Sequence, residues 1–459
     1  GGTCSMNQVT VGILGFLTII AIVVTLFKSK TLPSIAFILF PSILALILVF
    51  GGYYTFKDVA SLIKDGFKST GPTAALFVFS VLFFGIMTDA GLFDVIIGKL
   101  MKLVGDNVIG VTVMTAIIAI IGHLDGGGAS TFLIVVPAML PVYKKMHMRK
   151  TSLLRIAVLA MGVLNLMPWA GPTMRAASVL GMEAGQLWNK LLPIQVFGIV
   201  LALAHAVLTG IQEKARGAGL NGKLAKTEEA VEVEAGQEGQ LGELARPKLF
   251  FFNMILTIAV IAMLIWDVFP SYVPFMLGVG ISILVNYTDI KLQKKVLNSH
   301  AVPALMMCTT LMGAALLMGI LVKTVKVDDV AIPSVVSCMS ALITMVLPAA
   351  LGAHLPLVIG ILSVPLALAF DTDSYFYGML PVMISIGEGF GIPALPIAIS
   401  MAVCRNCATF ISPMVPATLL GVGLAEVDIK DHIRSSFFYV WGFSFLCMIF
   451  AILVGIIPA

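Results

Sequence analysis

Ten apolar stretches, most of them close to the twenty or so residues needed to cross about 30 Å of hydrocarbon, leave this chain few folds to choose from. They fall at about 10–27, 33–52, 72–94, 151–183, 188–212, 248–268, 272–290, 300–323, 393–425 and 434–457, and prolines interrupt the two longest, 151–183 and 393–425. Only 11% of the residues are charged, against about a quarter in a soluble domain. The reading is an all-α polytopic membrane protein in contact with lipid. A formal net charge of +4 is too small to argue for nucleic acid. No cleavable signal peptide is visible, and "GGTCS" ahead of Met6 reads as an added leader and is set aside. The one CxxC, Cys404 to Cys407, lies in an apolar stretch. A redox motif needs a soluble βαβ context, so this pair reads as helix packing.

Between 213 and 247 the composition changes: "EKARGAGLNGKLAKTEEAVEVEAGQEGQLGELARP" is charged, Gly-rich and without an apolar face. It is expected to be a solvated cytoplasmic linker between two halves, 10–212 and 248–458. Those halves resemble each other at three places in the same order. "FGIMTDAGLFDVI" (84–96) parallels "MGILVKTVKVDDVAI" (318–332). "DGGGASTFLIVVPAMLPV" (125–142) parallels "DTDSYFYGMLPVMISI" (371–386). "NLMPWAGPTMRAASVLGMEAGQLW" (165–188) parallels "NCATFISPMVPATLLGVGLAEVDI" (406–429). Three matches in register are the signature of a secondary transporter built from repeats. The basic cluster "YKKMHMRK" (143–150) places the base of the first polar hairpin in the cytoplasm. Counting spans from there puts the second hairpin's base outside, so the repeats are inverted. Residues 329–350 fit either an interfacial arm helix or an eleventh span.

The stretch "IGHLDGGGAST" (121–131) sits between two apolar runs. Non-helical backbone at membrane depth is tolerated only where protein buries it or it lines a wet cavity. A re-entrant hairpin over about 107–146 is therefore expected, with a second over about 353–388. Gly126, Gly127 and Gly128 allow close approach of backbone to a ligand. Ser130 and Thr131 open the returning helix, whose free N–H groups suit an anion. A tight crossing of helices lined by small residues is the plainer alternative.

Two broken spans should meet these tips. In the first (151–183), Pro168 and Pro172 remove N–H donors and Gly171 permits unwinding. Freed carbonyls and Asn165 suit a cation, and the helix restarting at Thr173 suits an anion. Arg175 is placed in the first turn of that helix. An intramembrane Arg is functional by default, and its planar fork fits a carboxylate. Snorkelling, or a pair with Glu183, is its structural alternative. In the second half, Asp371, Thr372, Asp373 and Ser374 form the hairpin tip. Two carboxylates there need a cation, a proton or an Arg, although an N-cap would account for one. The second break (393–425) offers Arg405, Asn406, Ser412 and Thr418, with Arg405 equally readable as structural. His123 and His354 are candidate proton relays or packing residues, and Asp89 and Asp94 read as orienting an arm helix. No Walker loop, metal-ligand Cys/His spacing or nucleophile–base signature is present, so no enzyme is expected. An anion channel or carboxylate sensor is less compatible with paired hairpins than a carrier is.

At "LDGGGASTFLIV", "LPVYKKM", "NLMPWAGPTMRAAS", "DSYFYGMLPV" and "SPMVPATLLGVGLAEVDIKDH" the chain resembles the citrate–metal–proton symporters. That family is a branch of the ion transporter superfamily, which also holds dicarboxylate–sodium symporters. The resemblance runs over nearly the whole chain. It implies a homodimer in the bacterial inner membrane, with a scaffold domain and a mobile transport domain that carries both hairpins in an elevator movement. It implies uptake of citrate with a divalent cation of the Mg or Ca type, coupled to protons, and no covalently bound cofactor. Carried onto this sequence, its motif positions fall on Asp125, Ser130, Thr131, the Pro168–Arg175 break, Asp373 and the Ser412–Thr418 break. Taken with the residue reading, substrate contacts are expected from Gly126–Gly128, Ser130, Thr131, Asn165, Gly171, Thr173, Arg175, Thr372, Ser374, Asn406, Ser412 and Thr418. On the chemistry of the residues, metal contacts are expected from Asp125 and Asp373, and proton coupling from Asp371, Asp373 and His123. Gly127 stands where the family pattern has a second Asp, Thr372 where it has Asn, and Thr409 where it has a larger polar residue. That leaves open a carrier of another di- or tricarboxylate, driven by sodium or protons without metal.

Overall fold

The structure is a computed structural model that describes residues 6–458 apart from 29, 221, 223–242 and 328–329. Among the described residues the first half holds nine α-helices: α1 (Gln8–Phe27), α2 (Pro33–Phe50), α3 (Phe56–Asp89), α4 (Leu92–Met101), α5 (Val108–Gly122), α6 (Gly128–Lys145), α7 (Lys150–Leu164), α8 (Gly171–Leu180) and α9 (Ala184–Arg216). The second half opens with α10 (Phe250–Trp266), α11 (Tyr272–Asn286), α12 (Ile290–Ser299) and α13 (Ala301–Val322). A two-stranded antiparallel ribbon, β1 (Val325–Val327) and β2 (Val330–Ile332), follows. Then come α14 (Val335–Thr344), α15 (Ala349–Ala353), α16 (Leu355–Ala367), α17 (Leu380–Gly389), α18 (Ala394–Cys407), α19 (Pro416–Leu424) and α20 (Ile429–Leu453). Among the described residues, seven helices are long and apolar enough to cross a membrane.

Local chemistry explains where these helices start and stop. Asn7, Asn107, Asp289, Ser334 and Asp428 cap α1, α5, α12, α14 and α20 through their side chains, satisfying amides that would otherwise lack partners. Thr55 and Asp58 form a reciprocal capping box at the head of the 34-residue α3. Pro172 stands in the first turn of α8 and Pro416 opens α19. Proline fits there and nowhere deeper without loss of a hydrogen bond. These prolines turn each long apolar stretch into two short helices flanking an interruption, over 165–170 and over 408–415, the second holding a single 3-10 turn at Thr409–Ile411.

Packing gathers the helices into two sets. In one, α13 lies on α2 and α3, α11 on α3, and α10 on α11. In the other, α5 and α7 pack on α9, α16 on α18, α18 on α20, and α6 on α7 and α19. α8 bridges them, touching α3 as well as α18. Arg155, Phe197 and the buried face of α7 lock the second set together: Arg155 lies over the Tyr439 ring at 4.0 Å, and Phe197 stacks on Phe450.

One boundary differs from the sequence reading, and two open points gain detail. The linker expected over 213–247 begins later, because α9 runs on to Arg216 and Glu213 is fully buried. Its carboxylate accepts from Arg149 Nε at 2.6 Å, Ser152 Oγ at 2.7 Å and Arg216 Nη2 at 2.9 Å. Most of the remaining linker lies outside the described residues. Helix α14 has ten residues, about 15 Å of rise, so 335–344 is half the length of an eleventh span. Asp89 ends α3 and accepts from His300 Nε2 at 3.0 Å, joining α3 to the start of α13, whereas Asp94 sits in the first turn of α4 and favours its dipole.

Candidate functional site

Two hairpin tips and two helix interruptions meet in one junction. At the first tip the chain turns between α5 and α6, with Gly126 at φ 72°, a left-handed conformation that L side chains resist. Asp125 organises the turn: one carboxylate oxygen accepts from Gly127 N at 2.7 Å and the other from Ser130 Oγ. Thr131 Oγ1 lies 2.7 Å from the Gly127 carbonyl and 2.7 Å from His123 Nδ1. Gly127 itself has an ordinary φ of −94°. A β-carbon there would crowd Ser130 Oγ and the Asp125 carboxylate, so the turn itself constrains this position. At Gly128 a β-carbon would overlap the Phe410 ring, which seats the first tip against the second half.

The first interruption is tied to this tip. Trp169 Nε1 donates to the Leu124 carbonyl at 2.8 Å, and His123 Nε2 lies 3.2 Å from Asn165 Oδ1. Both His123 ring nitrogens are thus engaged in a buried link from tip to interruption. His354 lies at the start of α16, away from the junction. The Asn165 carbonyl accepts from Thr173 Oγ1 at 2.7 Å and from Asn406 Nδ2 at 3.0 Å, so the two interruptions are bonded to each other. Helix α8 starts at Gly171, which moves Arg175 from the first turn to the second.

At the second tip the two aspartates divide their work. Asp371 caps the chain, accepting from Asp373 N at 2.9 Å and Ser374 N at 3.2 Å. Ser374 then begins a π-helical segment, Ser374–Met379, that runs into α17. Asp373 accepts from Arg175 Nε at 2.5 Å, and the two side chains are only 12% and 7% exposed. Arg175 does not pair with Glu183, which holds Ser271 N at 3.0 Å instead. Arg405, fully buried, braces the tip from α18. It donates to the Phe370 carbonyl at 3.3 Å, Thr372 Oγ1 at 3.5 Å and Thr409 Oγ1 at 3.3 Å, above the Tyr375 ring. Ser412 Oγ accepts from Met414 N at 3.2 Å.

Several buried polar atoms at this junction have no partner among the described residues: Asn165 Nδ2, Asn406 Oδ1, Thr418 Oγ1 and Arg405 Nε. Buried polar groups are nearly always bonded to protein, water or ligand, and here the exceptions come from both interruptions at once. Sequence reasoning found the four elements but missed Trp169, Tyr375, Phe410 and Met307, whose Sδ lies 3.4 Å from Arg175 Nη2. Aromatic and Met residues abound in any apolar helix, so only Trp169, within a Pro–Gly interruption, carried a signal.

Long apolar helices, the α5–α6 hairpin, the turn ahead of α17 and two interrupted helices around a buried polar junction fit a multi-pass membrane transporter. Residues 16–404 match the sequence model of the citrate transporter family, and the chain belongs to that family; it is a bacterial inner-membrane protein. A citrate transporter of Bacillus subtilis (strain 168) is 33% identical over 445 residues, covering 97% of this chain and 99% of its own. A protein of the same organism named Mg(2+)/citrate complex secondary transporter is 32% identical over 420 residues, covering 92% and 93%. Among solved structures, the Alcanivorax borkumensis YdaH transporter superposes with a TM-score of 0.54 at 12% identity, covering 89% of this chain and 90% of that one. That likeness concerns the fold alone.

Proposed function

We propose that this protein is a proton-coupled symporter that carries citrate as a complex with a divalent cation, by an elevator movement. The observation that carries the reading is the buried Arg175–Asp373 pair. It unites a cation suited to a carboxylate and a carboxylate suited to a metal, one from each half, beside polar atoms that lack partners among the described residues. Arg175 takes a citrate carboxylate, with the amides at the start of α8 sharing its charge. Asp373, and Asp125 where its turn allows, face the cation. Among the described residues no three His, Cys, Asp or Glu gather as a metal site. A cation there therefore draws most of its oxygen ligands from citrate, which suits cargo rather than a resident cofactor. A relative whose name joins Mg(2+) to citrate supports the same reading.

Charge supports proton coupling. Citrate with a divalent cation keeps a net charge near −1, and the junction already sets Asp125, Asp371 and Asp373 against Arg175 and Arg405. Entry of the complex adds negative charge that a proton offsets. The recurrence of helix, hairpin and interruption in both halves supports inverted repeats. The helix set around α3 and α13 is the scaffold and dimer surface, and the set holding the tips is the mobile body.

A second reading, a sodium-coupled carrier of free carboxylate, draws on Gly127 in place of an acid and on the neutral oxygens Asn406 Oδ1 and Thr418 Oγ1. Uptake of labelled citrate into proteoliposomes separates the two. The proposal expects uptake to need Mg²⁺ or Ca²⁺ and an inward proton gradient, and to be indifferent to Na⁺. Uptake driven by Na⁺ in the presence of a chelator would establish the second reading instead.

A further inference from the structure

We infer that Asp373 is an internal counter-ion that citrate must displace, and that its release supplies the carboxylate that selects the metal–citrate complex over either component alone. The inference rests on reading the junction as the citrate site.

The pair is monodentate. Arg175 uses Nε to reach Asp373 Oδ1 at 2.5 Å, its Nη2 meets only the Met307 sulfur at 3.4 Å, and Nη1 lies beside Gly171. Half of the guanidinium fork therefore meets nothing stronger than a thioether, and an incoming carboxylate that engages two N–H groups is a better ligand than Asp373 is. Neither neighbouring acid can take Asp373's place. Asp371 is held by the amides of Asp373 and Ser374, and Glu183 by Ser271.

Once displaced, Asp373 is a carboxylate in a buried site, and an uncompensated charge there is strongly unfavourable. Arg405 already uses Nη1 and Nη2 on Phe370, Thr372 and Thr409, and only its Nε is without a partner among the described residues. The divalent cation that arrives on citrate is the compensating charge. Metal alone finds Asp373 neutralised by Arg175; citrate alone strands Asp373. The complex satisfies both partners, so each component raises the affinity for the other by the same factor.

Calorimetric binding to the full-length purified protein at neutral pH tests this. The ligands are citrate with chelator, MgCl₂ alone, and citrate with MgCl₂. The parent is expected to bind the complex about 100-fold more tightly than metal-free citrate, near the upper range of such couplings, and to show no binding of MgCl₂ alone. In Asp373→Asn the masking charge is gone. Metal-free citrate should then bind about tenfold more tightly than it does to the parent, and Mg²⁺ should cease to help. Asp373→Ser repeats the comparison should the Asn variant misfold, and the parent's own ligand preference stands without either variant. Equal affinity for metal-free and metal-bound citrate in the parent, while uptake still needs Mg²⁺, overturns the counter-ion and leaves the site standing. Persistent Mg²⁺ stimulation in the Asp373 variants does the same. No citrate binding in any form overturns the site reading and this inference with it.

Discussion

The Asn406 amide donates to the Asn165 carbonyl at 3.0 Å, bonding the interrupted helix of one half directly to that of the other. The acceptor is a carbonyl freed by the end of α7, and Thr173 Oγ1 shares it at 2.7 Å. Asn406→Ala should therefore loosen the junction without removing a charge. The expected cost is about 1–3 kcal/mol, the range for leaving a buried polar group short of a partner. Thermal unfolding in detergent reads that loss, and citrate uptake should fall further than stability does. A variant with full uptake and a lowered melting temperature would make the bond purely structural.

Gly128 tests how closely the first tip must approach the second half. Gly128→Val would drive side-chain atoms into Phe410, whose ring also packs on Phe132 and His123. Loss of uptake with correct membrane insertion is expected. Paired Gly128→Val and Phe410→Ala substitutions should recover part of it, because the second change opens the space the first one fills. No recovery in the double variant would remove the steric explanation.

The end of α9 and the stretch after it offer a contrast between buried and solvated charge. Glu213 holds Arg149, Ser152 and Arg216 with no exposure of its own; because both arginines reach solvent, Glu213→Ala should destabilise by about 1.5–3 kcal/mol, the range for hydrogen bonds to a charged group. Residues 223–242 carry many charges and no apolar face, so replacing most of them with a shorter flexible linker should leave uptake unchanged. Proteoliposome uptake and thermal unfolding of both variants check this, and a folded but inactive deletion would show that the linker has a role in transport.

How much of this was legible in the sequence varies with the physics behind each feature. Membrane helices, hairpin tips and proline interruptions follow from local rules: runs of apolar residues, absent N–H donors and Asp-led turns. Partner choice is different. Nothing local says that Asp371 caps while Asp373, two residues on, crosses to Arg175. Nor does it say that Ser130 and Thr131 bond within their own tip. The Glu213 cluster was misread as linker because a charged stretch reads as solvated until the residues packed against it are known.

Glu426, in the turn before α20, accepts from Lys144 at 2.9 Å and Lys150 at 2.5 Å. These two lysines hold its carboxyl down at about 2, from the usual 4.5. A depressed folded pKa means that the stabilisation is complete above the unfolded value and is lost as pH falls from about 4.5 through about 2. The group is exposed, so the effect should stay below about 1 kcal/mol. The melting-temperature difference between parent and Glu426→Gln should be constant from about pH 8 to pH 5 and shrink below that. A difference that grows on acidification would contradict the assignment.

The central claim is that citrate crosses together with its cation at the Arg175–Asp373 junction. Double-label uptake tests it most directly: radiolabelled citrate and Mg²⁺ quantified together in proteoliposomes under an inward proton gradient. The account predicts entry of roughly one cation per citrate, with both signals lost together in Arg175→Lys, which keeps the charge but not the two-pronged contact. Citrate accumulation without accompanying metal would contradict it.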